Sequence, residues 1–150
     1  MVSGAKGDED IDPLVLTFKI SGDDFIHAGE ASSATKKALA RLGVQATVVK
    51  RAAIAMYEAE LNAVIHAGGG TADVAIYPDH VCISVKDEGP GIPDVDLAMQ
   101  EGWSTAPDIA REMGFGAGMG LPNIKKQVDL LSIETAPGQG TTVHIVINFT

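Results

Sequence analysis

Regular patterning begins at Pro13, where the run Pro13 to Ile20 (PLVLTFKI) is rich in β-branched and apolar residues and predicts a strand. Ser21-Gly22-Asp23-Asp24 supplies turn and N-cap chemistry, and helical spacing follows from about Phe25 to Leu42, ended by Gly43. A longer and more apolar helix is predicted from about Gln45 to Ala67, stopping at Gly68-Gly69-Gly70. The periodicity then changes from helical to alternating. Thr71 to Tyr77 and His80 to Lys86 read as two strands of a hairpin, separated by Pro78-Asp79. Asp87 to Pro93 is a turn-rich loop leading to a short helix near Val95 to Gln100. Gly102 to Gly120 is glycine-rich and irregular, Leu121 to Leu131 returns to helical spacing, and Ser132 to Thr135 and Thr141 to Phe149 are two last strands around Pro137-Gly138-Gln139-Gly140.

Helices and strands are grouped rather than strictly alternating. This favours an α/β (α+β) two-layer sandwich on a mixed, mostly antiparallel sheet over a doubly wound one. Length agrees: 150 residues suit one domain, expected over 12–150, with 1–11 as a flexible polar N-terminal tail. The net charge of −9 and pI near 4.7 argue against a nucleic-acid or anionic-membrane surface, which needs clustered Lys and Arg. Cys82 is the single cysteine, so no intrachain disulfide forms, and a small buried thiol is its plain reading. The polar start lacks the apolar core of a secretory signal, and no apolar run approaches the roughly 18 residues that cross a bilayer, so a cytoplasmic location is the expectation.

Three places break the structural pattern. On the long apolar helix, Glu58, Asn62 and His66 recur at i, i+4 and i+8 as one polar stripe. Spacing alone also fits a solvated face, but such a face on a helix this long would carry several Lys and Glu. This one holds an acid, an amide and an imidazole, and a carboxylate one turn from an amide oxygen suits a proton acceptor beside a hard cation. The second break is Asp87-Glu88-Gly89-Pro90-Gly91 at the end of a strand. Asp87 would serve as an ordinary turn residue; alternate glycines also let a flat ligand approach the backbone, where a carboxylate accepts from an exocyclic amine. The third is Gly114-Phe115-Gly116-Ala117-Gly118-Met119-Gly120, directly before a helix. Its glycines are costly to order, it is oddly apolar for a linker, and free N–H groups beside a helix N-terminus suit phosphates. The irregular stretch exceeds the ~12–15 residues usual for loops in compact domains, and such loops are usually functional or disordered.

Familiar phosphate motifs fail. Leu121 stands where G-x-G-x-x-G needs its last glycine after Gly116 and Gly118, no G-x-x-x-x-G-K-[ST] occurs, and the H-R-D and D-F-G signatures are missing. In order along the chain, however, the elements resemble the GHKL ATPase superfamily, which includes gyrase, Hsp90, histidine kinases and MutL. Glu58-x-x-x-Asn62 is similar to its N box, Asp87-x-Gly89-x-Gly91 to its first glycine box, Gly116-x-Gly118-x-Gly120-Leu121 to its second, and Gly140-Thr141 to its final Gly-Thr. The resemblance spans about Leu14 to Phe149. Glu58 to Ala67, Glu101-Gly102-Trp103-Ser104-Thr105 and Gly118-Met119-Gly120-Leu121-Pro122 look like bacterial anti-sigma-factor serine/threonine kinases, nearest the switch-kinase branch acting on STAS-domain proteins of the stressosome.

The resemblance implies a Bergerat-type ATP-binding fold with a glycine-rich lid, and ATP and Mg²⁺ as cofactors. It implies Glu58 as the catalytic residue that orients or deprotonates the attacking hydroxyl, and Asn62 as the Mg²⁺ ligand. Asp87 would accept from the adenine amino group with Thr141 beside it, Gly89 and Gly91 admitting the ring. Gly116, Gly118, Gly120 and Leu121 would form the phosphate lid. His66 would line the site or pack as a neutral ring, and Arg111 and Lys125 are candidate phosphate contacts. The implied partner is a STAS-domain protein substrate, with a sigma factor or downstream phosphatase also in view and the choice of monomer or homodimer open. Two other readings stay open: an anti-sigma factor or ATP-controlled switch whose output is complex formation, and a detached histidine-kinase catalytic domain.

Overall fold

The computed structural model describes residues 12–22, 28–92, 94–100 and 120–150. The glycine run with Gly116 and Gly118, Arg111, the Trp103 segment and the N-terminal stretch 1–11 lie outside the described residues.

Strands β1 (Leu14–Ser21), β2 (Gly69–Ile76), β3 (His80–Asp87), β4 (Leu130–Thr135) and β5 (Thr141–Asn148) form one sheet in the order β1-β2-β3-β5-β4. Every pairing among them is antiparallel. Alternation explains which face is covered. Val81, Ile83 and Val85 of β3 are buried, as are Ala72, Val74 and Ile76 of β2 and Val143, Ile145 and Ile147 of β5. Their neighbours Asp73, Ser84, Lys86 and His144 point to the other face and are half-buried or exposed. Burying each branched core side chain contributes about 1.5–3 kcal/mol, which fixes the register, since a one-residue slip would turn the whole set outward.

Helices α1 (Glu30–Arg41), α2 (Ala46–Ala67), the short α3 (Val95–Ala98) and α4 (Gly120–Gln127) complete the described elements. Alanine supplies α2 with high helix propensity and lets it lie close to the sheet; Ala52, Ala55, Ala59 and Ala63 are all buried. Gly68 ends α2 in the left-handed conformation at φ 71°, its N–H donating to the Ala63 carbonyl. One contiguous apolar cluster joins α1, α2 and α4 to the sheet through Leu39, Met56, Ile124, Ile83 and Ile145.

Two boundaries differ from the sequence expectation. Helix α1 starts at Glu30 with Gly29 as its N-cap, rather than near Phe25 with a polar side-chain cap, because its cap comes from another helix. Helix α4 stops at Gln127 instead of running to Leu131, because Leu130 and Leu131 pair with Val146 and Ile145 at the sheet edge. Val128 and Leu131 fit either period, so their spacing does not separate helix from strand.

Candidate functional site

The C-terminal end of β3 lies in mid-sheet, where Asp87 pairs with Gly70 on one side and Thr141 on the other. Asp87 Oδ1 accepts from Gly89 N–H at 3.0 Å and from Thr141 N–H at 3.1 Å. Both bonds fall on one oxygen, so among the described residues Oδ2 has no hydrogen-bond donor. Beside it, Thr135 Oγ1 accepts from Ile92 N–H at 2.8 Å, lies 3.2 Å from the Gly140 carbonyl oxygen and 3.0 Å from Thr141 Oγ1. One assignment satisfies all three contacts: Thr135 donates to the carbonyl and accepts the Thr141 hydroxyl proton, leaving Thr141 lone pairs for a ligand. Gly91 and Gly140 adopt φ of +83° and +81°, and a Cβ on them would strike the Ala136 and Asp87 carbonyl oxygens respectively. The loop after β3 and the β4–β5 turn therefore approach each other and the Asp87 backbone too closely for a side chain at either glycine. Gly89 packs on Ala67 at the end of α2, which joins this end of the sheet to the polar stripe.

That stripe is not a wet face. Glu58, Asn62 and His66 are half-buried, because α4 lies along that side of α2 with Leu121, Pro122 and Ile124 buried beneath it. Gly120, first residue of α4, sits so near that a Cβ there would come 2.8 Å from Asn62 Oδ1. One turn on, Asn123 Nδ2 donates to Glu58 Oε2 at 3.1 Å. At the far end Arg51 Nε donates to the Gln127 carbonyl at 2.8 Å, with its guanidinium 3.4 Å from Asp129. Burial pushes the His66 pKa below its ordinary value, and the nearby Asp87 carboxylate opposes that only in part, so the neutral ring is favoured.

Along α2, the start of α4 and the adjoining ends of β3 and β5, the structure brings near one another the sequence-predicted Glu58, Asn62, His66, Asp87, Gly89, Gly91, Gly120, Leu121 and Thr141. Lys125 is exposed on α4. Three further residues stand out that the sequence did not reveal. Thr135 and Asn123 are unremarkable in the sequence, and Glu60 reads there as an ordinary helix acid. Glu60 is 3% exposed. Its Oε2 accepts from Gly29 N–H at 2.9 Å and Ala31 N–H at 3.2 Å, and Oε1 from Ser32 N–H at 3.1 Å, capping α1 from α2. Among the described residues no group of three or more His, Cys, Asp or Glu is placed to hold a metal ion, and no helix is long and apolar enough to cross a membrane.

The family model of histidine kinase-, DNA gyrase B- and HSP90-like ATPases matches residues 47–150, which contain the whole candidate site. The chain is 35% identical over 94 residues to the anti-sigma F factor of Bacillus licheniformis, covering 59% of this chain and 61% of that protein. It is 31% identical over 100 residues to the serine/threonine-protein kinase RsbT of Bacillus subtilis (strain 168), covering 64% and 69%. The chain thus spans about 61% of the length of the first anti-sigma F relatives. Among solved structures, a mycobacterial sensor histidine kinase, MprB, shares the fold at a TM-score of 0.52 and 20% identity, covering 90% of this chain and 97% of that one. A chain of the SiaB–SiaC complex from Pseudomonas aeruginosa does so at 0.56 and 17%, covering 88% of each. With the family model covering residues 47–150, the chain belongs to the histidine kinase-, DNA gyrase B- and HSP90-like ATPases.

Proposed function

We propose that this chain is an ATP- and Mg²⁺-dependent serine/threonine protein kinase, acting in the cytoplasm on a STAS-domain protein within a partner-switching pathway, with residues 12–150 as one kinase domain. The observation that carries the reading is the meeting of two separate devices in one cleft. One is an acceptor held by backbone N–H groups at Asp87; the other is the Glu58 and Asn62 pair under α4.

Asp87 Oδ2 accepts the adenine amino proton, and the Thr141 hydroxyl lies beside it. The phosphates then point along α2 toward Asn62. Glu58, one turn further, takes the proton of the partner's serine or threonine hydroxyl. That oxygen forms the new bond to the γ-phosphorus as the bond to the bridging oxygen of ADP breaks. Gly116, Gly118 and Gly120, with Leu121 anchoring the helix behind them, wrap the phosphates through backbone N–H groups. His66 stays neutral at the cleft wall.

The oxygen donors fit a magnesium ion. Asn62 Oδ1 is a hard oxygen placed toward the lid base, and magnesium commonly takes one or two protein ligands, with phosphates and water completing its shell. When bound there it would supply charge neutralisation of the phosphates. The test is incubation of the chain with γ-labelled ATP and STAS-domain proteins of the same organism. Acid-stable phosphate on serine or threonine, lost in Asn62→Ala, is the expected result. No transfer, or transfer undiminished in Asn62→Ala, overturns the reading.

A second reading rests on the anti-sigma F factors among its relatives: ATP would control a complex with a sigma factor, with transfer secondary. Nucleotide-dependent co-elution with a sigma factor that survives Glu58→Ala would favour it.

A further inference from the structure

Helices α2 and α4 are joined along one seam by three contacts at helical spacing. Asn62 lies against Gly120, Glu58 against Asn123, and Arg51 against the Gln127 carbonyl. The outer two are bound to fixed features: Gly120 begins the helix after the glycine run, and Arg51 caps the helix end. Packing of α4 does not need Asn123, because Leu121, Pro122 and Ile124 fill the core from the other sides of the turn. The half-buried Asn123 amide is spent on one carboxylate oxygen at 3.1 Å. Glu58 has three side-chain torsions and, among the described residues, no other hydrogen-bond partner, so this bond selects its rotamer.

We propose that Asn123 is a positioning residue for Glu58, fixing the rotamer of its carboxylate through the hydrogen bond from α4 to α2. It rests on the reading of Glu58 as the proton acceptor. A carboxylate out of hydrogen-bond reach of the hydroxyl cannot take its proton, so the bond that fixes the Glu58 rotamer serves the transfer step.

The experiment compares kcat and KM for MgATP in transfer to the STAS-domain substrate, using wild type, Asn123→Ala, Asn123→Asp, Asn123→Gln, Glu58→Gln and the Glu58→Gln/Asn123→Ala double variant. Thermal unfolding of each checks that it is folded. Asn123→Ala should lose about tenfold in kcat with KM for ATP within about twofold, the signature of an interaction that serves the transition state rather than nucleotide binding. Asn123→Asp should lose more, because it sets a second carboxylate against Glu58. Asn123→Gln, which keeps the amide donor, should recover part of the loss. The double variant should be no slower than Glu58→Gln, because Asn123 acts only through that side chain. A rise in KM at unchanged kcat, or a loss that adds to that of Glu58→Gln, overturns the inference. Full transfer by Glu58→Gln overturns the base reading and this inference together. An inactive Glu58→Gln with a fully active Asn123→Ala overturns this inference alone.

Discussion

Glu60 and Glu58 stand two residues apart on α2, yet the two sides of the helix use a carboxylate for opposite ends. Toward α1, Glu60 is 3% exposed and its two oxygens accept three backbone N–H groups. Those N–H groups have no partner within α1, so the carboxylate completes the start of that helix and fastens it to α2. Toward α4, Glu58 is half-buried and is held by one side-chain amide. A saturated carboxylate has no lone pair positioned for a substrate proton; a carboxylate with one weak tether does. Burial and saturation make Glu60 a structural acid, while partial burial and a single tether leave Glu58 available for the chemistry proposed for it.

The sharpest way to break this contrast is to exchange carboxylate for amide at each position. Glu58→Gln should lower phosphoryl transfer by about 1,000-fold, within the range for loss of a general base, and leave urea stability within about 0.5 kcal/mol. Glu60→Gln should do the reverse. It leaves an N–H of α1 without an acceptor in a buried position, which costs about 2 kcal/mol in urea unfolding, while transfer per folded molecule stays near wild type. Stability lost at Glu58, or activity lost at Glu60 with folding intact, would erase the distinction.

His66 offers a smaller test on the chemical side. Its pKa is lowered in the fold, so below the ordinary value of 6.5 the unfolded chain binds the proton first. Stability should therefore fall as pH drops from about 6.5 through the lower folded value, and be unaffected by this group above it. His66→Gln should flatten that part of the curve relative to wild type, with a slope change that never exceeds one proton. An unchanged slope would mean that His66 keeps its solution-like affinity for protons.

Much of this architecture was readable before any coordinates, and the reasons are local. The alternation in His80 to Lys86 can bury only one face, the alanines of α2 can only be a close-packed helix, and Gly68 stops that helix in a conformation other residues avoid. The glycines around Asp87 fit a turn or a close backbone approach, and both are found there. What stayed hidden depends on distant partners. Glu60 meets N–H groups 28 to 31 residues away in sequence, so nothing near it marks a cap. Asn123 acquires its partner 65 residues away, and Thr135 accepts from an N–H 43 residues away. The polar stripe could be read as solvated or functional until α4 was seen to cover it.

The account's central claim is that the Asp87 end of the cleft takes the nucleotide while the Glu58 edge does chemistry. Calorimetric titration of MgATP into wild type, Asp87→Asn and Glu58→Gln tests it most directly. Asp87→Asn turns an acceptor into a donor facing the adenine amine, so affinity should drop by about 100-fold, as when a buried polar group loses its partner. Glu58→Gln should bind as wild type does. ATP binding unchanged in Asp87→Asn, or weakened equally in both variants, would contradict the account.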